Sequence, residues 1–354
     1  MDNKKIYEKV KMKIAISKVK EEDIVMKKNR IGFGKGIGIA ACLVLSTTGV
    51  VFAANQIINK FGANSSDGVQ TAVDNGYYYD VNTEYKEANG ISANIDSFIL
   101  DDTNFDISIN LKFNENYDLK EMLSKEGKIK ITDLKVVNEN EKKVFATKEL
   151  ESEEMTSLYK TEQEARENYD GYAGAYGENF EKLSDNELRY MFTASGNPVN
   201  FPESNKLIIT FNKIVNTYTE NNERKNIIYN GEWSFEIDVP SKMSKSNITE
   251  YNLASISDST YKFDSARCSN TAFRIYLRNC SDIKMDGTSY VENENGEKFY
   301  PSARSDGDGC ISIDKDGNST FYNTFNLTNF DATNNITVHL FKNNGNEVII
   351  KLTK

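Results

Sequence analysis

One histidine stands in the whole chain, His339, beside a single tryptophan, four prolines and four cysteines in 354 residues. Each shortage excludes something. Without a second histidine no His-based metal pair forms, and a His-dependent triad would have only His339 to use. No CxxC pair occurs, so no zinc or thioredoxin-type site is indicated. The GxxxxGK[ST], GxSxG and HExxH patterns are all missing. Carboxylates are abundant, so a neighbouring pair such as Asp101-Asp102 is not evidence of acid–base catalysis. No catalytic, cofactor-binding or metal-binding residue is nominated, and the chain does not read as an enzyme. Asp314-Lys315-Asp316-Gly317-Asn318 begins like a calcium loop, but Ser319 replaces the turn glycine and Phe325 the closing Glu. A tight hairpin is the better reading of that Asp-Gly.

What is present is a charge asymmetry around one apolar run. Gly36–Ala54 is 19 residues without a charge, close to the ~20 that a helix needs to cross a bilayer core. Residues 1–30 carry ten Lys or Arg against five acids. Residues 55–354 keep 32 of the 43 basic and 48 of the 53 acidic residues, a net of −16. Positive charge stays on the cytoplasmic side of a span. The chain therefore reads as a single-pass membrane protein with a cytoplasmic tail (1–30), a transmembrane helix (31–54) and an extracytoplasmic remainder. A signal peptide cleaved near Val51-Phe52-Ala53 is the rival reading. Ile39-Ala40-Ala41-Cys42 fits a lipobox in letters, but its apolar region runs beyond the cysteine instead of preceding it. An acidic ectodomain is a poor partner for nucleic acid.

In the tail, Ile6, Val10 and Ile14 recur at helical spacing with Tyr7 adjacent and lysines around them. Such a face lies on anionic lipid headgroups or docks a cytoplasmic partner. Residues 55–90 form a connector, with a turn-like Asn64-Ser65-Ser66-Asp67-Gly68. Strands follow. Ile91, Ala93, Ile95, Ser97 and Ile99 alternate with Ser92, Asn94, Asp96 and Phe98, and Phe105, Ile107, Ile109, Leu111 and Phe113 alternate with Asp106, Ser108, Asn110 and Lys112. Joined by Asp101–Asn104, they predict a hairpin with one buried face. Further strands are predicted at 128–137, 206–215 and 226–239, the last with Trp233, Phe235, Ile237 and Val239 on one face and Pro240 at its end. Residues 149–196 read as a loop or helical insertion, with Ser184 and Glu187 spaced as a capping box before Leu188.

Ser241–Asn247 is a plausible domain boundary. Beyond it come short strands separated by turns such as Asn295-Gly296 and Asn344-Gly345. The fold class is mainly β: the transmembrane helix followed by two β-sandwich-like (Ig-like) extracytoplasmic domains, 91–242 and 243–354. Of the cysteines beyond the span, Cys268, Cys280 and Cys310 are an odd number, which leaves at least one unpaired in a monomer. Free or partly buried thiols are the favoured state, with one bridge between Cys268 and Cys280 as the alternative.

Residues 5–15 (KIYEKVKMKIA), 46–53 (STTGVVFA), 72–77 (AVDNGY) and 97–108 (SFILDDTNFDIS) together resemble the DUF4179-containing membrane proteins of clostridia and related Firmicutes. The resemblance covers about residues 1–115. It implies a role in envelope-stress signalling, because some members are linked to extracytoplasmic-function sigma factors and described as anti-sigma proteins. It carries no catalytic or ligand residues. The expected partners are a sigma factor at the tail face of Ile6, Tyr7, Val10 and Ile14, membrane lipid, and a cell-envelope ligand. The alternative is an anchored or secreted envelope-binding module whose tail does not signal.

Overall fold

The computed structural model describes residues 61, 65–124, 128–146, 176–196, 201–220, 223–245, 247–302, 309–313 and 319–354. The tail, the apolar run and the segments 147–175 and 314–318, the last holding the Asp-Gly hairpin expectation, lie outside them. Among the described residues no helix is long and apolar enough to cross a membrane. The chain beyond Ala53 forms one compact unit, built on two hydrophobic cores, one drawn from Phe61–Met243 and the other from Tyr251–Leu352.

The first core opens with a helix, α1 (Asp67–Asp74), where the sequence predicts a turn. Ser66 caps it, its Oγ accepting from Val69 N at 3.2 Å. Val69, Ala72 and Val73 then share one buried face. The strands β1 (Tyr79–Asp80), β2 (Lys86–Ala88), β3 (Ile91–Leu100) and β4 (Asn104–Phe113) follow, then α2 (Leu119–Ser124). Next come β5 (Lys128–Thr132), β6 (Lys135–Asn138), β7 (Lys143–Ala146), β8 (Tyr176–Lys182), β9 (Glu187–Ser195), β10 (Lys206–Glu220), β11 (Glu223–Asp238) and α3 (Ser241–Ser244). One sheet runs β1-β3-β4-β9-β8, with β2 also on β3; the other runs β11-β10-β6-β7, with β5 on β10. They share the core. Trp233 stacks on Phe211 and donates its Nε1–H to Ile91 O at 3.1 Å, and Phe145 meets Phe192 at 4.4 Å between ring centres.

The predicted β3–β4 hairpin is present, with two corrections. A bulge between Ile95 and Ser97 shifts the register, so Phe98 and Leu100 continue the core face instead of Ser97 and Ile99. Both faces are buried, not one, and Ser97, Asp106 and Ser108 are fully enclosed. Alternation reports which residues share a face, not what that face meets. The predicted insertion 149–196 is also corrected over 176–195. Ser184–Glu187 is not a helix start but the turn between β8 and β9, with Ser184 N donating to Glu187 O at 3.1 Å. Leu188, Tyr190, Phe192 and Ala194 run at period two into the core. The predicted strand 128–137 divides into β5 and β6 at Asp133, whose φ is +57°.

The second core is enclosed by β12 (Thr249–Ile256), β13 (Lys262–Cys268), β14 (Phe273–Arg278), β15 (Tyr290–Asn293), β16 (Lys298–Phe299), β17 (Gly309–Ile313), β18 (Ser319–Phe325), β19 (Asn335–Phe341) and β20 (Glu347–Thr353). Their order is β16-β15-β19-β20-β12-β13-β14-β18-β17, antiparallel throughout. The first half of β12 pairs with β13 and the second half with β20, across a bulge between Leu253 and Ser255. One strand thus turns the corner between the two layers of a sandwich. Phe273, Ile275, Leu277, Phe321 and Phe325 from one layer pack with Ile336, Val338, Leu340, Val348 and Ile350 from the other.

Candidate functional site

Two hairpin turns meet where the cores adjoin. The β3–β4 turn supplies Asp101, Asp102, Thr103 and Asn104, and the β13–β14 turn supplies Ser269 to Ala272. All eight are buried. Asp101 works on both sides. Its Oδ1 accepts from Thr103 N and Asn104 N, each at 2.8 Å, which closes its own turn. Its Oδ2 accepts from Thr271 Oγ1 at 2.6 Å and Thr271 N at 3.1 Å, which ties that turn to the second core. Asn104 Nδ2 donates to Thr271 Oγ1 at 2.7 Å.

Arginines face the aspartates. Arg267 on β13 and Arg274 on β14 are direct cross-strand partners, a like-charge pairing that destabilises a sheet unless something neutralises it. Arg267 lies 3.7 Å from Asp102 Oδ2. Arg274, only 1 % exposed, donates from its NH2 group to Gly196 O at 2.6 Å and from Nε to Thr324 Oγ1 at 3.0 Å. Burial, and secondarily the Asp101 charge, push the Asp102 carboxyl up to about 6; Arg267, Arg274 and the Thr103 hydroxyl oppose the shift.

The helix α1 seats against the same place. Gly68 N donates to Asn326 Oδ1 at 3.3 Å, and a Cβ on Gly68 would stand 2.2 Å from Thr271 O. Only glycine permits that approach. Tyr77, just past α1, donates its hydroxyl to Leu100 O at 2.8 Å. Burial, then the charges of Asp101 and Asp102, raise this hydroxyl far above its usual range, so it stays protonated.

Both carboxylate oxygens of Asp101 are committed to donors. Among the described residues no group of His, Cys, Asp and Glu is arranged to hold a metal ion. His339 lies apart on β19, stacked on Tyr290 at 4.4 Å with Nδ1 2.7 Å from Glu347 Oε1. Cys268 and Cys280 are free and buried. They do not face each other across the β13–β14 hairpin, because Cys268 pairs with Phe273 at one end and Cys280 follows Arg278 at the other. The tail residues Ile6, Tyr7, Val10 and Ile14 lie outside the described residues. In the sequence Asp101-Asp102 reads as a turn and as a carboxylate pair without catalytic meaning, and nothing there marks Gly68, Arg267, Thr271 or Arg274 as site residues.

No family model matches the sequence, and no curated protein matches it. Among solved structures, a conserved domain protein from Bacillus anthracis is similar at a TM-score of 0.41 and 13% identity, over 75% of this chain and 79% of that one.

Proposed function

We propose that this chain is a single-pass membrane protein whose extracytoplasmic β ectodomain governs a cytoplasmic regulator, a sigma factor being the partner its resemblance implies. The observation that carries the reading is the seating of α1. Residues 55–66 separate the apolar run Gly36–Ala54 from a helix wedged against the turns that join both cores. A change in either core, or in how they dock, reaches α1 directly. The basic tail on one side of the run and the acidic ectodomain on the other support the orientation. The tail face of Ile6, Tyr7, Val10 and Ile14 is the docking surface for the regulator.

The test is sigma-dependent transcription in cells carrying the full chain with Ile6→Asp and Val10→Asp together. Signalling through the tail requires the output to change while the protein remains in the membrane. Unchanged output, with function kept when residues 1–54 are swapped for an unrelated anchor, would leave an envelope-binding module instead.

A further inference from the structure

We propose that the junction of the two cores is a proton-operated clamp on α1: protonation of Asp102 tightens the turns that seat the helix, and loss of that proton loosens them.

The arrangement of the cluster carries the inference. Asp101 and Asp102 adjoin in one turn, 2% and 5% exposed. Asp101 is compensated by four donors, two of them on Thr271. Compensation of Asp102 is weaker. Its Oδ1 accepts from the Thr103 hydroxyl at 3.1 Å, and the nearest Arg267 nitrogen stands 3.7 Å from Oδ2, beyond hydrogen-bond length. Arg274 directs its NH2 group to Gly196 O and its Nε to Thr324 Oγ1. An ionised Asp102 therefore bears the desolvation of its burial and the repulsion of Asp101, and a neutral one bears neither. That is why its carboxyl is pushed up to about 6. Among the described residues, the charged groups acting on it are Asp101 in its own turn, Arg267 on β13 and Arg274 on β14. Tyr77 past α1 and Cys268 on β13 also feel its charge, and burial keeps both protonated.

A change at Asp102 reaches α1 by contact. Its chain neighbour Asp101 holds Thr271 through Oδ2, and Thr271 O is the wall against which Gly68 sits. On the other side of the turn, Leu100 O accepts the Tyr77 hydroxyl at 2.8 Å. Linkage fixes the direction. Released from the junction, Asp102 returns toward its ordinary 3.8, so the docked state binds the proton more tightly and acid favours docking. The gain is about tenfold between pH 7.5 and pH 5. The clamp belongs to the ectodomain and stands whether or not the tail signals; only as the cue that the tail reports does acidity rest on the signalling role.

Hydrogen–deuterium exchange of the full chain in detergent micelles, read by mass spectrometry on peptides holding residues 67–77, tests it. Each rate is divided by the intrinsic rate at that pH. Protection of α1 in wild type should rise about tenfold from pH 7.5 to pH 5. Asp102→Asn is neutral at every pH, so its protection should be high and flat. Thr103→Val removes the hydroxyl that favours the charge and should move the transition to higher pH; it carries the test if the first variant does not fold. Wild-type protection that ignores pH, a pH response retained in Asp102→Asn, or an unmoved transition in Thr103→Val would overturn the clamp. Transcription is no part of the readout, so a failed clamp and a failed signalling role are told apart.

Discussion

Replacing Asp101 by alanine removes an acceptor from four donors at once: Thr103 N, Asn104 N, Thr271 N and Thr271 Oγ1. The two Thr271 groups have a fallback, since Ser269 Oγ lies 3.2 Å from the amide and 3.4 Å from the hydroxyl. Thr103 N and Asn104 N both donate to Asp101 Oδ1. An orphaned buried donor costs ~1–3 kcal/mol, so two cost ~2–6 kcal/mol. Relief of the repulsion with Asp102 returns some of this. A net loss of ~2–4 kcal/mol is expected, a large share of a typical stability of ~5–15 kcal/mol. Urea unfolding followed by Trp233 fluorescence and by far-ultraviolet circular dichroism measures it. Trp233 is the chain's one tryptophan and lies in the first core, so it reports that half alone. The two signals should coincide in wild type and separate in Asp101→Ala, because the turns no longer tie the halves together. A loss below ~1 kcal/mol, or one no larger than that of Asp102→Ala, would refute the assignment of Asp101 as the tie.

Asp102 behaves oppositely. Its folded carboxyl lies at about 6, above the ordinary 3.8, because burial and Asp101 disfavour its charge. The stability this contributes is fully present below about 3.8 and is lost as pH rises through about 6. The gap corresponds to ~3 kcal/mol. Urea midpoints at pH 4 and pH 7 should therefore differ between wild type and Asp102→Asn in their pH dependence; identical profiles would rule this out. Gly68→Ala should cost ~1–3 kcal/mol through overpacking against Thr271 O, and a gain, as helix propensity alone would give, would contradict the seating of α1. Burial raises the Cys268 thiol well above its usual range and pushes Cys280 up to about 12. Peptide-resolved alkylation with iodoacetamide at pH 8 should modify neither before global unfolding, and rapid labelling of either would place it at the surface.

The sequence makes legible those elements whose burial follows its own periodicity. Trp233, Phe235, Ile237 and Val239 share one buried face as their spacing predicts, and the Asn-Gly turns at 295–296 and 344–345 join strands with glycine φ near +80°. What escapes has a physical cause in each case. The strand β12 buries only Tyr251 along its length, so it carries no apolar rhythm. The bulge after Ile95 breaks the alternation inside a strand that otherwise obeys it. Ser184 to Glu187 satisfies the letters of a capping box while closing a hairpin, because both motifs ask for short polar side chains near backbone amides. Helix α1 is only eight residues long, with three apolar side chains on its buried face, and reads as connector until its packing is seen. Asp101 is legible as a turn residue, but its other partner is 170 residues away, beyond any local pattern.

That distance also explains why the junction is polar. Two apolar patches between the cores would hold them in many nearly equivalent registers. Four charges, among them the doubly committed Asp101 carboxylate, hold them in one. Asp101 and Asp102 adjoin in the chain, and Arg267 and Arg274 are paired by the sheet, so each side alone carries a like-charge pair. Exposed to water, those pairs are screened and tolerable. Buried, each requires the other, and removing an arginine strands a carboxylate at a cost of ~3–5 kcal/mol. Docking is therefore conditional on the intact set, and α1, held by a glycine that admits no side chain, is bound to the same condition. A coupling of this kind is stiff while assembled and fails when Asp101 or one of the arginines is removed, and α1 is released with it.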